Sequence, residues 1–187
     1  MSIKTIIIAA TALALLSACS STPPNANKPN LSEEKIKEYQ QIIIDNENIL
    51  KEDGLTDEAK YEALANIAVT HDNLGNYSEA VKSYEKMLEI NPSDFLALNN
   101  LSTLYERSKD YEKAAYYVKF LHKYYKDRQG VISDVIRILV ENGEFENAKL
   151  VITEYAQNYN TPENAEFISD QFDYIMRMSQ KAAESTP

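Results

Sequence analysis

The chain has one cysteine, four glycines and six prolines in 187 residues, and its 19 basic residues are outnumbered by 29 acidic ones. Each shortage removes a class of protein. A single cysteine forms no internal disulfide, so no disulfide framework holds the fold. Scarce glycine and proline, beside abundant Ala, Leu, Glu and Lys, favour helix over sheet. A formal charge of −10 without a clustered basic run argues against nucleic-acid binding through phosphate neutralisation. The same charge argues against a polybasic grip on anionic lipid, and it keeps the protein soluble. The two histidines, His71 and His122, lie far apart, and there is no HExxH, GxSxG or glycine-rich phosphate loop. The chain is therefore not expected to be an enzyme, and no metal or cofactor is implied.

The start of the chain reads as an address. Met1 to Lys4 is short and positive, and Ile6 to Leu16 is an almost unbroken apolar run. That run is too short for a mature transmembrane helix, which needs about 20 residues. A positive start, a short apolar stretch and small residues before a cleavage point describe a secretory signal peptide over residues 1–18. Leu16-Ser17-Ala18-Cys19 resembles the lipobox of bacterial lipoproteins. The resemblance implies transfer of diacylglycerol to the Cys19 sulfur, cleavage before Cys19, and acylation of the new amino group. It also accounts for the lone cysteine of a secreted chain, and two or three acyl chains anchor stably where one would be marginal. Ser20 follows, where enteric-type sorting uses aspartate to retain a lipoprotein in the inner membrane; its absence favours the outer membrane, facing the periplasm, in a diderm organism. Residues 19–31 contain Pro23, Pro24 and Pro29 and nothing that builds a core, so they read as a disordered tether. The eleven residues from Ser20 to Asn30 reach roughly 20 Å as a flexible coil.

The remainder repeats. Gly75-Asn76-Tyr77-Ser78-Glu79-Ala80, Lys109-Asp110-Tyr111-Glu112-Lys113-Ala114 and Gly143-Glu144-Phe145-Glu146-Asn147-Ala148 are spaced by 34 residues both times. A 34-residue period is that of the helix–turn–helix tetratricopeptide unit, and the rest of the register resembles that family. Repeat one (61–94) has Leu64, Ile67, small Ala68, Tyr77, Ala80, Tyr84 and closing Pro92; repeat two (95–128) has Leu98, Leu101, Ser102, Tyr105, Tyr111 and Ala114. Repeat three (129–160) has Ile132, Val135, Leu139, Phe145 and Ala148. Small residues let the two helices approach closely, and the turn aromatic fills the wedge where they diverge. Gly75 and Gly143 permit positive φ at the turn, and Asn91-Pro92 is read as ending one helix and opening the next. Some positions depart from the pattern: Lys109 for glycine, Lys126 for the closing proline, Ile136 for a small residue, and His71 for tyrosine, where it is expected to be packed and satisfied.

The resemblance implies an all-α fold, a right-handed tetratricopeptide solenoid of three repeats within 55–160. End repeats expose an apolar face and need covers. Ser32-Glu33-Glu34 opens a capping helix to about Glu52, closed by Asp53-Gly54, so 32–54 forms the N-terminal cap with Ile36, Tyr39, Ile43 and Leu50 inward. Thr161-Pro162-Glu163 opens a C-terminal capping helix over 161–182, leaving 183–187 as a disordered tail.

In proteins of this family the inner groove is lined mainly by the first helix of each repeat. Carried over, the groove comprises Glu62, Ala65, Val69, Asp72 and Asn73; Leu96, Asn99, Thr103, Glu106 and Arg107; and Ser133, Arg137, Val140 and Glu141. Carboxylates, amides and apolar side chains suit a basic or polar peptide or helix. The basic clamp of chaperone-tail-binding relatives is disfavoured, because Lys60, Arg107 and Arg137 are the basic residues of the three first helices. Tyr116, Tyr117, Phe120, Tyr124 and Tyr125 form a second cluster, expected mostly to fill the core. Small lipoproteins of this shape are similar to pilotins of pilus secretins, tight-adherence pilus lipoproteins, accessory lipoproteins of outer-membrane protein insertion, and adaptors of peptidoglycan hydrolases. The function expected is a membrane-anchored interaction scaffold of the envelope, its partner another envelope protein. The alternative is a passive surface lipoprotein with no dedicated partner.

Overall fold

The computed structural model describes residues 29–185, and every regular element among them is an α-helix. They are α1 (Glu33–Ile49), α2 (Asp57–Asn73), α3 (Tyr77–Ile90), α4 (Phe95–Arg107), α5 (Tyr111–Tyr125), α6 (Gln129–Glu141), α7 (Phe145–Tyr159) and α8 (Pro162–Ser185). None of the described helices is long and apolar enough to cross a membrane. Cys19 and the signal-like segment lie outside the described residues.

Helix starts follow from side chains that accept otherwise orphaned amide protons. Ser32, Thr56, Asp94 and Asp110 take the N–H three residues on, at 3.2, 3.2, 2.8 and 3.2 Å. The turns inside the hairpins share one geometry. Asn76 N–H donates to the His71 carbonyl (2.8 Å) and Gly75 N–H to Asp72 (2.9 Å). The same two bonds recur as Asp110 to Tyr105 with Lys109 to Glu106, and as Glu144 to Leu139 with Gly143 to Val140. This is the Schellman ending, which requires a left-handed residue. Gly75, Lys109 and Gly143 hold that place with φ of 71°, 62° and 77°. Lysine thus adopts, in repeat two, the conformation that glycine adopts in its neighbours.

Each hairpin packs on the next. α2 pairs with α3, α4 with α5 and α6 with α7, while α3 meets α4, α5 meets α6, and α8 rests on both α6 and α7. The core runs continuously through the stack, from Leu64 and Ala68 through Leu98, Leu101 and Tyr105 to Ile132, Leu139 and Ile152. Ala80, Ala114 and Ala148 are fully buried, as close helix approach demands. Ile136 is buried at a position that holds Ala68 and Ser102 in the other repeats, and α6 and α7 approach each other less closely than the two earlier pairs.

Three boundaries and one residue's exposure differ from the sequence reading. α1 ends at Ile49 rather than near Glu52, because Lys51 and Glu52 donate three residues back, to Asn48 and Ile49, and the chain tightens into turns. Pro92 does not open α4; it sits in a turn, and Asp94 caps the helix two residues later. α8 runs to Ser185, so 183–185 are helical rather than a loose tail: Lys181-Ala182-Ala183-Glu184 favours helix. Val140, expected to line the groove, is 4% exposed, in keeping with α8 packed on α6.

Candidate functional site

The first helices of the repeats, α2, α4 and α6, are joined side by side by ion pairs that run between groove positions. Arg107 of α4 reaches Asp72 of α2 at 3.1 Å. It also donates to the Tyr77 hydroxyl at 2.7 Å, its guanidinium 4.6 Å from the ring centre. Arg137 of α6 pairs with Glu106 of α4, and with Asp134 at 2.9 Å one turn earlier in its own helix. Burial pushes the Asp134 carboxyl above the ordinary carboxylate value. Asp72 and Glu106 occupy the same repeat position, each bonded to an arginine of the following repeat. The superhelical stacking therefore brings together Asp72, Glu106, Arg107 and Arg137, as a ladder and not as four free groups.

The other expected groove residues separate by exposure. Glu62, Val69, Asn73, Leu96, Thr103 and Glu141 are exposed, and Ala65, Asn99 and Ser133 are half-buried. Val69 and Leu96 stand out as apolar side chains 38% and 37% exposed. The Thr103 hydroxyl donates to the Asn99 carbonyl at 2.9 Å, which turns it back onto its own helix. The expected groove positions thus comprise exposed apolar side chains on α2 and α4, a paired charge ladder, and carboxylates at Glu62 and Glu141 that form no ion pair among the described residues.

The aromatic cluster belongs largely to the core. Tyr117 is 4% exposed and stacks on Tyr105 with centroids 5.7 Å apart. Tyr116 packs edge-on to Tyr117 and Phe120. Tyr125 meets Phe95 edge-on and donates to the Ser93 carbonyl at 2.5 Å, while the Arg128 guanidinium lies over both rings. Tyr124 alone of the five is exposed. At the same junction Tyr61 donates to the Asp94 carboxylate at 2.9 Å; burial first, and that bond second, raise its phenol to about 12.

His71 differs from expectation. His71 is half-buried, but its Nδ1 is enclosed with no hydrogen-bond partner, so it is packed without being satisfied. Tyr105, one repeat on, shows what the position accommodates better: a larger ring buried to 1%. His122 Nε2 lies 3.7 Å from Glu154, beyond hydrogen-bond reach. Burial holds both imidazoles below the ordinary histidine value. Among the described residues no group of three or more His, Cys, Asp or Glu is placed to hold a metal ion.

Fold and face define a class: an all-α solenoid of stacked helical hairpins whose inner helices carry an accessible surface. Comparison finds tetratricopeptide-repeat models that match within the first two hairpins. One tetratricopeptide-repeat family model matches residues 61–94, the span from α2 to the cap of α4. A second matches residues 83–116, from within α3 to within α5, out of step with the first. Such repeats typically bind peptides or proteins and generally act as scaffolds rather than as enzymes. No curated protein matches the chain. A solved structure described as "MamA RS-1 ArsTM double mutant" is similar to it at 15% identity, covering 84% of this chain and 100% of that one with a TM-score of 0.46. No functional argument follows from a likeness of that degree.

Proposed function

We propose that the protein is a lipid-anchored scaffold of the bacterial cell envelope, which holds a partner protein against the concave face of its repeats. The observation that carries the binding half is the pair of apolar side chains Val69 on α2 and Leu96 on α4, 38% and 37% exposed. The anchoring half rests on the sequence Leu16-Ser17-Ala18-Cys19. A short tether keeps the domain close to the membrane, and the absence of aspartate at position 20 favours the outer membrane, facing the periplasm. The partner is another envelope protein, and the role is support for assembly of a pilus, secretion or outer-membrane complex.

Two experiments test the two halves. Cells fed a clickable fatty acid incorporate it into the wild-type chain, and Cys19→Ser abolishes both label and membrane recovery; an unlabelled wild type ends the anchoring half. Affinity purification from membranes recovers one envelope protein with wild type, and a folded Val69→Glu, Leu96→Glu variant loses it. Equal recovery by both proteins sinks the groove. A deletion strain with normal pili, secretion and outer membrane favours the passive lipoprotein.

A further inference from the structure

His71 stands near the junction of three helices. On α2 it follows Leu64 and Ala68, which belong to the continuous core, along one stripe of the helix. The neighbouring stripe carries Ala63, Ile67 and Thr70, buried outside that core, as is Ile43 of α1. Asn66 lies on this second stripe and donates to the Asn46 side chain of α1 at 3.1 Å. α1 meets the rest of the molecule chiefly through α2, so the second stripe lies under α1 while the first packs on α3. The His71 carbonyl also accepts the Asn76 N–H that closes the turn between α2 and α3, at 2.8 Å. The matching places of the later repeats hold Tyr105 and Leu139, each 1% exposed. His71 thus puts a titratable ring where the fold otherwise places largely apolar volume, and its Nδ1 is enclosed without a hydrogen-bond partner.

Charge is disfavoured in such a place. Burial, the largest influence, holds the imidazole below the ordinary histidine value. Glu79 of α3 and Glu47 of α1 offset burial in part, and Lys82 of α3 adds to it. On its own helix the adjacent Asp72 is already held by Arg107 of α4. The other histidine differs, because Glu154 stands 3.7 Å from the enclosed Nε2 of His122. An open form in which the His71 ring meets water takes up its proton at the ordinary value. Protons therefore favour that form, and the contact weakens as pH falls below about 6.5. We propose that His71 is a proton-operated catch for the first helix: neutral, it lets α1 lie closed on α2, and protonated, it releases α1 while the three hairpins stay folded. Release uncovers the stripe of Ala63, Ile67 and Thr70, and the continuous core is left in place.

The test is amide hydrogen exchange of the full chain in detergent micelles at about pH 7.5 and about pH 5.5, corrected for the intrinsic pH dependence of exchange. The expected result is that residues 33–49 open more often than α4 at both values, and that their opening rises severalfold, to a limit of about tenfold, at the lower one. His71→Leu and His71→Tyr install the residues of the third and second repeats, and each removes the rise in α1. His122→Leu leaves that rise in place. If α1 and α4 open equally often, α1 parts only with the whole fold and the catch is overturned. A rise that survives in a folded His71→Leu or His71→Tyr protein, or one that His122→Leu removes, assigns the proton to another group and overturns it too. So does the absence of any rise in the wild-type chain.

Discussion

Lys109 offers the sharpest test of the turn geometry. Its φ is 62°, it is exposed, and it forms no ion pair among the described residues. A residue with a Cβ pays about 1–2 kcal/mol in the left-handed region. Glycine avoids that strain but loses about 0.5–1 kcal/mol more conformational entropy on folding. Lys109→Gly is therefore expected to stabilise the protein by about 0.5–1 kcal/mol. The reverse change, Gly143→Ala, is expected to destabilise by a similar amount. An added Cβ at Gly143 meets nothing within 4 Å, so the effect there is conformational alone. In a domain of this size the shifts correspond to roughly 2 °C in Tm, upward for the first and downward for the second. Thermal unfolding followed by circular dichroism at several protein concentrations measures both. If Lys109→Gly lowers Tm while Gly143→Ala also lowers it, strain is not the difference between the two turns, and the reasoning fails.

Other outcomes follow from the same coordinates. The Asp72–Arg107 link, partly exposed on both sides, should show a coupling of about 0.5–1 kcal/mol in a double-mutant cycle, shrinking with salt; Arg107→Lys retains only part of it, since one ammonium replaces a fork that reaches both Asp72 and Tyr77. Tyr117→Ala should cost about 3 kcal/mol or more and Tyr124→Ala no more than about 0.5 kcal/mol in urea unfolding, because one ring is in the core and the other is not. His71 and His122 both titrate below their unfolded values. In the window between the two values the unfolded chain binds more protons, so stability falls as pH drops below about 6.5, and a His71→Leu, His122→Leu variant should flatten that slope in unfolding titrations.

The architecture was legible because it repeats. A 34-residue period with a glycine or its substitute at one place, alanine five residues on and aromatics between them constrains three hairpins at once, and Gly75, Lys109 and Gly143 take the conformation that period implies. The N-cap at Ser32 was equally plain, since a serine before two glutamates offers the oxygen that a helix start needs. The groove was only half legible. The positions carried over from the family resemblance include Val69 and Leu96, which are exposed, yet gave no sign that Arg107 and Arg137 are already bonded. Those bonds span 35 residues to Asp72 and 31 to Glu106, and they depend on how one repeat leans on the next. A usable signal did exist: acidic side chains at 72 and 106, each followed one repeat later by an arginine within a turn of the matching place. Val140 was misjudged for the same reason, since the helix that packs on α6 lies outside the repeat register.

α1 touches the rest of the molecule chiefly through α2. Its grip depends on Ile43 and on Asn46, whose side-chain oxygen accepts from Asn66 at 3.1 Å. It is the joint of the stack nearest the N-terminus. A pull on that end bears on the α1–α2 seam before it reaches the three hairpins, whose core is continuous. Peeling α1 away would lengthen the chain by tens of ångströms while leaving the concave face intact. Were the chain held at its N-terminus as proposed, the first helix would give way before the three hairpins were strained.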